Sequence, residues 1–302
     1  MKNIRIGTRN SPLALWQARE VARHLQNMNH TTEIVPISSS GDKDLSQPLY
    51  EMGITGIFTR DLDLALLRGD IDIAVHSLKD VPTQLPQNIQ LVACLQRDYP
   101  EDVLVRNPNS LGKTFHDLSI ATSSLRRRAF WLKEYSGTHF EDIRGNVHTR
   151  LKKIEDGLAD ATVFSLAGIK RLSLPIEYEM LPFMIPAPSQ GVVAVAGHSE
   201  NEEVNAIVKQ ITHTETEICV QIERDFLRTL EGGCTAPIGA YCEVVDHQLR
   251  FRGRLCSLDG ERCIETEEVI ELNAAEGAGQ RFAENILKNG GREIMNEINA
   301  VR

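Results

Sequence analysis

Through the first two-thirds of the chain, short β-branched runs alternate with polar turns and amphipathic helical stretches. That rhythm predicts parallel sheets with helices on both faces. Ile4 to Gly7 reads as the first strand; Ser11 then caps a helix with Pro12 at its first position, and Leu15, Ala18, Ala22 and Leu25 mark the buried face. Ile34 to Ser38 and Ile71 to Val75 read as further strands, the latter delivering the turn His76-Ser77-Leu78-Lys79-Asp80 before Val81-Pro82 keeps a helix from starting. Beyond a loop around Arg97 to Asp102 the pattern repeats, with strands at Leu118 to Ala121, Phe140 to Ile143 and Ala161 to Leu166. A proline-rich stretch, Leu181 to Gln190, reads as a linker, and Gly191 to Ala196 as a strand returning to the first sheet. From about Thr216 the character changes. A helix from Glu217 to Leu230 is followed by alternating runs at Ile238 to Val245, Leu249 to Ser257 and Cys263 to Ile270, then a last helix from Ala275 to Asn289. The expected fold class is α/β: two similar doubly wound lobes plus a small α+β C-terminal domain. The expected domains are 1–98 with 191–215, then 99–190, then 216–302.

Every polar cluster of the first two groups falls at a strand's C-terminal end, the edge where open α/β sheets bind ligands. The richest is Thr122-Ser123-Ser124-Leu125-Arg126-Arg127-Arg128. Capped by Ser123 or Ser124, a helix starting there puts arginines against its own positive dipole end. Free amides, hydroxyls and guanidinium forks together suit a carboxylate or phosphate, while a solvated basic helix end explains the same residues without a ligand. Net charge is −9, which speaks against a nucleic-acid or membrane-surface partner, so the basic clusters are local and suit a small acidic ligand. No N-terminal run has signal-peptide form and none is long enough to cross a bilayer, so a cytoplasmic protein is expected.

The six cysteines include no Cys-x-x-Cys pair, and the histidines are scattered, so no metal site is expected and the thiols are read as mostly free. Cys219, Cys242, Cys256 and Cys263 lie in apolar stretches that suit core packing. Cys234 differs, because Gly232-Gly233 before it lets the backbone turn sharply and leaves the sulfur uncovered. A small buried residue and a reactive thiol both satisfy that pattern. Asp80, after a buried strand and before proline, reads either as a surface ion pair with Lys79 or as a fixed cleft carboxylate able to stabilise a cation.

Arg9-Asn10-Ser11-Pro12-Leu13-Ala14-Leu15-Trp16-Gln17, His76 to Pro82, Thr122 to Arg127, Arg144-Gly145-Asn146-Val147 with Thr149-Arg150, and Leu230 to Cys234 with Pro237-Ile238-Gly239 together resemble the porphobilinogen deaminase family, nearly end to end. The resemblance implies three domains, the first two similar to type 2 periplasmic binding proteins. It also implies a dipyrromethane cofactor held in a thioether to Cys234, and head-to-tail condensation of four porphobilinogen molecules with loss of ammonia. By position, Asp80 matches the catalytic aspartate that contacts pyrrole nitrogens. Ser77, Lys79, Asp80, Thr122, Ser124, Arg126, Arg127, Asn146 and Arg150 match cofactor contacts; Arg9, Ser11, Gln17, Arg144 and Arg171 match groups handling the incoming ring or the growing chain. The resemblance implies a lid that includes Phe58, in which Glu51 and Thr55 stand where relatives usually carry lysines, and Ser189 stands where they usually carry glycine. A monomer acting on porphobilinogen and the growing oligopyrrole chain, in haem biosynthesis, is expected. Two alternatives are a catalytically weakened homologue and a non-catalytic carboxylate-binding protein, the second of which gives Cys234 and Asp80 no role.

Overall fold

Ile4 and Ile6 alternate with polar neighbours and bury completely, which fixes one face of β1 (Asn3–Arg9) against the core. The computed structural model describes residues 2–38, 59–230 and 236–301. Expectations that fall on Glu51, Thr55, Phe58 and Cys234 lie outside the described residues. α1 (Pro12–Asn27) begins as expected, with the Ser11 hydroxyl accepting the Ala14 N–H at 3.3 Å. Its buried stripe is Ala14, Gln17, Ala18, Val21, Ala22 and Leu25, which leaves Leu15 at the margin, half-buried. β2 (Thr31–Ile37), α2 (Arg60–Arg68) and β3 (Ile73–Ser77) follow, α2 ending on Gly69 at φ 72°. After β3, Leu78–Asp80 forms one 3₁₀ turn, so Val81-Pro82 halts a helix after a single turn rather than preventing it. β4 (Ile89–Cys94) completes this segment.

The loop expected around Arg97 to Asp102 ends in β5 (Asp102–Arg106), the first strand of the second lobe. β6 (Ile120–Ala121), α3 (Leu125–Glu134), β7 (Phe140–Glu141), α4 (Val147–Glu155), β8 (Ala161–Ser165), α5 (Leu166–Arg171) and β9 (Glu179–Met180) complete it. The chain then returns as β10 (Val193–His198) and α6 (Glu202–Lys209). The two five-stranded sheets have orders β2-β1-β3-β10-β4 and β7-β6-β8-β5-β9. In both, the first three strands are parallel and the fourth is antiparallel to each neighbour. In both, too, that fourth strand is the one the chain forms on arriving from the other lobe, so the lobes share a topology and are joined through their interiors.

The third unit packs α7 (Thr214–Thr229), α8 (Ala278–Ile286) and α9 (Arg292–Ala300) on the antiparallel sheet of β11 (Ile238–Val245), β12 (Gln248–Cys256) and β13 (Cys263–Glu271). Phe251 is its centre, with the Phe226 ring 5.1 Å and the Phe282 ring 4.9 Å away. The helix expected from Ala275 to Asn289 is α8, and α9 follows it as a further helix not expected from the sequence, set off where the backbone at Gly290 swings to φ 101°. Cys256 and Cys263 are also corrected. The β12–β13 register sets them directly opposite, Cα atoms 4.1 Å apart, and they form a disulfide; Cys94, Cys219 and Cys242 are free and buried. Among the described residues no helix is long and apolar enough to cross a membrane, and no three His, Cys, Asp or Glu side chains are grouped to hold a metal.

Candidate functional site

Strand order brings the C-terminal ends of β1 and β3 side by side, and the side chains there open onto the cleft between the lobes. Gln17, buried on the first turns of α1, reaches across to donate to the Ser77 hydroxyl at 2.7 Å. Arg9, Ser11, Gln17, His76, Ser77 and Asp80 line one pocket. A second shares Ser77 and Asp80 and adds Lys79, Ser189 and, from the other lobe, Ser165 and Arg171. Expected residues from both lobes therefore meet around Asp80. Lys79 is anchored through its Nζ, which donates to Gln190 Oε1 at 3.0 Å, and Arg171 by donating to Asp98 Oδ2 and the Gly191 carbonyl, both at 2.7 Å. The Arg171 guanidinium also lies 5.3 Å from the centre of the Trp16 ring. Burial, with Arg9 adding to it, pushes the His76 imidazole down to about 4, so it is neutral near pH 7.

The arginine cluster has a different logic from the one its sequence suggests. Ser124 caps α3, its hydroxyl accepting the Arg127 N–H at 3.4 Å, and Thr122 Oγ1 accepts the Ser124 N–H at 3.3 Å. The anion that offsets the arginines is supplied from within. Asp102, at the start of β5 and fully buried, has Arg126 Nη2 2.7 Å from Oδ2 and Arg127 Nη2 2.7 Å from Oδ1. Sequence reasoning misses Asp102; its one local signal is an acid opening an otherwise apolar run, Val103-Leu104-Val105. Arg128 turns away to pair with Asp142. Arg150 donates to the Val163 carbonyl at 2.9 Å and stacks 4.4 Å from the Phe164 ring centre, while its Nε has no hydrogen-bond partner among the described residues. Arg144 is buried, and Asn146 caps α4 by accepting the Thr149 N–H at 2.9 Å.

One buried acid cannot balance these cations. Burial pushes the Asp102 carboxyl up, but Arg126, Arg127 and Lys79 outweigh it and hold it well below the usual carboxylate range. Lys79 is driven down to about 8 and Arg150 to about 9, in each case by burial first and by Arg127 second. Cations held away from water with too few acids are suited to a ligand carrying several carboxylates.

A second polar network, also missed in the sequence, ties the two interlobe crossings to the third unit. Glu223 of α7 is fully buried, with Arg97 Nη2 2.7 Å from Oε1. It accepts the Ser189 N–H at 2.6 Å and the Cys242 N–H at 2.7 Å. Gln190 donates to the Pro100 carbonyl at 2.7 Å and to Asp102 Oδ1 at 3.1 Å, linking this network to the arginine cluster. Cys234 falls between α7 and β11, outside the described residues.

Known proteins correspond to this chain along most of its length. Residues 4–206 match the family profile described as "Porphobilinogen deaminase, dipyromethane cofactor binding domain", and residues 217–288 match "Porphobilinogen deaminase, C-terminal domain". A porphobilinogen deaminase of Desulforamulus reducens is 39% identical, covering 98% of each chain. One of Syntrophomonas wolfei is 39% identical over 98% of this chain and 99% of its own. A probable porphobilinogen deaminase of Methanocaldococcus jannaschii is 46% identical over 78% of this chain and 82% of its own. Among solved structures, the periplasmic VFT2 domain of Bordetella pertussis BvgS aligns at a TM-score of 0.43 and 12% identity, covering 69% of this chain and 86% of that one. The chain belongs to the porphobilinogen deaminase family, transferases of tetrapyrrole biosynthesis that carry a dipyrromethane cofactor.

Proposed function

We propose that this chain is a hydroxymethylbilane synthase, joining four porphobilinogen molecules head to tail with loss of one ammonia per ring, and releasing the linear tetrapyrrole with water. The observation that carries the reading is the under-neutralised cation cluster of Lys79, Arg126, Arg127 and Arg150 around Asp102, beside Asp80 in the interlobe cleft. A dipyrrole bearing acetate and propionate groups fits it, because its carboxylates complement cations that burial has destabilised, and Arg150 Nε has no other partner among the described residues. When bound, the cofactor supplies the pyrrole carbon from which the chain grows. Cys234 is its attachment point in this reading, and Ser77, Thr122, Ser124 and Asn146 complete its polar surroundings with the cationic set.

Asp80 lines both pockets and is the carboxylate they share. Its task is to accept hydrogen bonds from pyrrole N–H groups and to stabilise the azafulvenium cation that porphobilinogen forms as ammonia leaves. Arg9, Ser11, Gln17 and Arg144 receive the carboxylates and ring of the incoming unit. Arg171, with two donor groups already engaged at Asp98 and Gly191, holds the lobes in register at that point. Phe58 is assigned to a lid segment. The three domains are taken as 1–98 with 191–215, 99–190 and 216–302, in a cytoplasmic monomer.

The test is the intact mass of the protein purified from cells that make porphobilinogen. It should exceed the sequence mass by one dipyrrole and give colour with an acidic aldehyde reagent, and Cys234→Ala should lose both. Fully active wild type without the added mass would overturn the reading, and a protein that binds porphobilinogen but never consumes it would favour the non-catalytic alternative.

A further inference from the structure

Ser189 carries two local penalties at one residue. Its φ is 65°, in the left-handed region where a side chain is disfavoured. Its hydroxyl is buried, the residue only 1% exposed, with no hydrogen-bond partner among the described residues. The backbone cannot relax to relieve either. Its N–H is held by Glu223 Oε2 at 2.6 Å, and its carbonyl accepts the Val192 N–H at 3.3 Å, where the chain re-enters the first sheet as β10. A glycine would remove both penalties. The same residue lines the second pocket, together with Lys79, Asp80 and Arg171. Local strain and an unmet polar group in a binding cleft are what a ligand contact accounts for.

We propose that the Ser189 hydroxyl is a binding group of that pocket and donates a hydrogen bond to a pyrrole carboxylate. The reason for a carboxylate is the company the hydroxyl keeps. Lys79 and Arg171 bring positive charge to the pocket, while Asp80 is suited to the ring N–H groups, so an anionic side arm next to the cations meets Ser189 as a donor. The inference rests on the functional reading above and adds to it a ligand contact from the crossing between the lobes, a segment that also anchors Lys79 and Arg171.

Ser189→Gly and Ser189→Ala separate binding from structure. Glycine relieves the backbone and alanine keeps its strain, but both remove the hydroxyl. A purely structural serine predicts a glycine variant that melts higher and binds as wild type does. The proposal predicts that the glycine variant melts higher yet binds worse. If the contact is to the incoming ring, KM for porphobilinogen rises on the order of tenfold in both variants, with kcat changed less. If it is to the resident dipyrrole, the fraction of protein carrying the dipyrrole mass falls in both instead. Wild-type KM and full dipyrrole mass in both variants would overturn this assignment alone. A wild type that neither carries the mass nor consumes porphobilinogen overturns the functional reading and this assignment with it.

Discussion

Replacing Asp102 with asparagine keeps the shape of the side chain and removes the charge on which the second lobe's interior depends. In the native protein the carboxylate has Arg126 and Arg127 at 2.7 Å and accepts a hydrogen bond from Gln190 at 3.1 Å, all of them buried. Removing one partner of a buried ion pair leaves the other charges uncompensated, at a cost of about 3–5 kcal/mol. The Lys2–Glu203 pair provides a scale for comparison: it is as short, at 2.6 Å, but its side chains are 34% and 72% exposed, and such pairs contribute roughly 0–1 kcal/mol. Guanidinium titrations of wild type, Asp102→Asn and Lys2→Ala at pH 7 should show a large loss for the first variant and almost none for the second. The pH dependence follows from the signs. The folded Asp102 value lies below the ordinary carboxylate value, so its stabilisation is complete above about pH 4 and is lost only as pH falls further. Lys79 acts in the opposite range. Its folded value of about 8 lies below that of a free lysine, so the native state holds fewer protons and stability rises with pH from about 8 toward about 10.4. Without Asp102 that rise should begin below pH 8. A loss in Asp102→Asn no larger than in Lys2→Ala would refute the claim that this acid neutralises the cluster.

Two further outcomes are expected. Asp80→Asn should retain the dipyrrole mass but lower turnover by roughly 10²–10³, since preorganised charges opposite a developing cation contribute on that scale, and near-normal turnover would remove Asp80 from the chemistry. Thiol titration of the denatured protein should find three of the six cysteines, Cys94, Cys219 and Cys242, and five after reduction, because Cys256 and Cys263 are bonded and the proposed function has the dipyrrole blocking Cys234; five before reduction would rule out the cross-strand bond.

What the sequence makes legible is what short-range patterning controls. The Ser11 cap, the cap of α3 at the second of its two candidates, Ser124, and the three strands of the last sheet depend on residues within one or two turns of each other and lie close to where the pattern puts them, while β3 runs two residues later than the expected Ile71 to Val75 and takes in His76 and Ser77. Asp102 is not legible in this way, because its partners come from α3 and from the chain near Gln190, and nothing local announces either. Glu223 is hidden for the same reason: on a helix it reads as one more surface acid, and its burial depends on three distant segments meeting around it. The cross-strand cysteines become partners only through the β12–β13 register. Asn289-Gly290-Gly291 reads as the end of the last helix, which hides α9 beyond it.

The shared topology of the two lobes has a consequence for biosynthesis. All five strands of the second sheet lie between Asp102 and Met180, so that lobe can close as soon as this stretch has left the ribosome. The first lobe begins earlier and finishes later. Its β3 and β4 are not neighbours, and the strand that fills the space between them, β10, is not made until Val193–His198. Until then the nascent chain exposes two unpaired strand edges, the feature most open to wrong pairing, beside a lobe that is already complete. The order of folding thus runs against the order of synthesis, and the amino-terminal lobe is sealed only when β10 slots between β3 and β4.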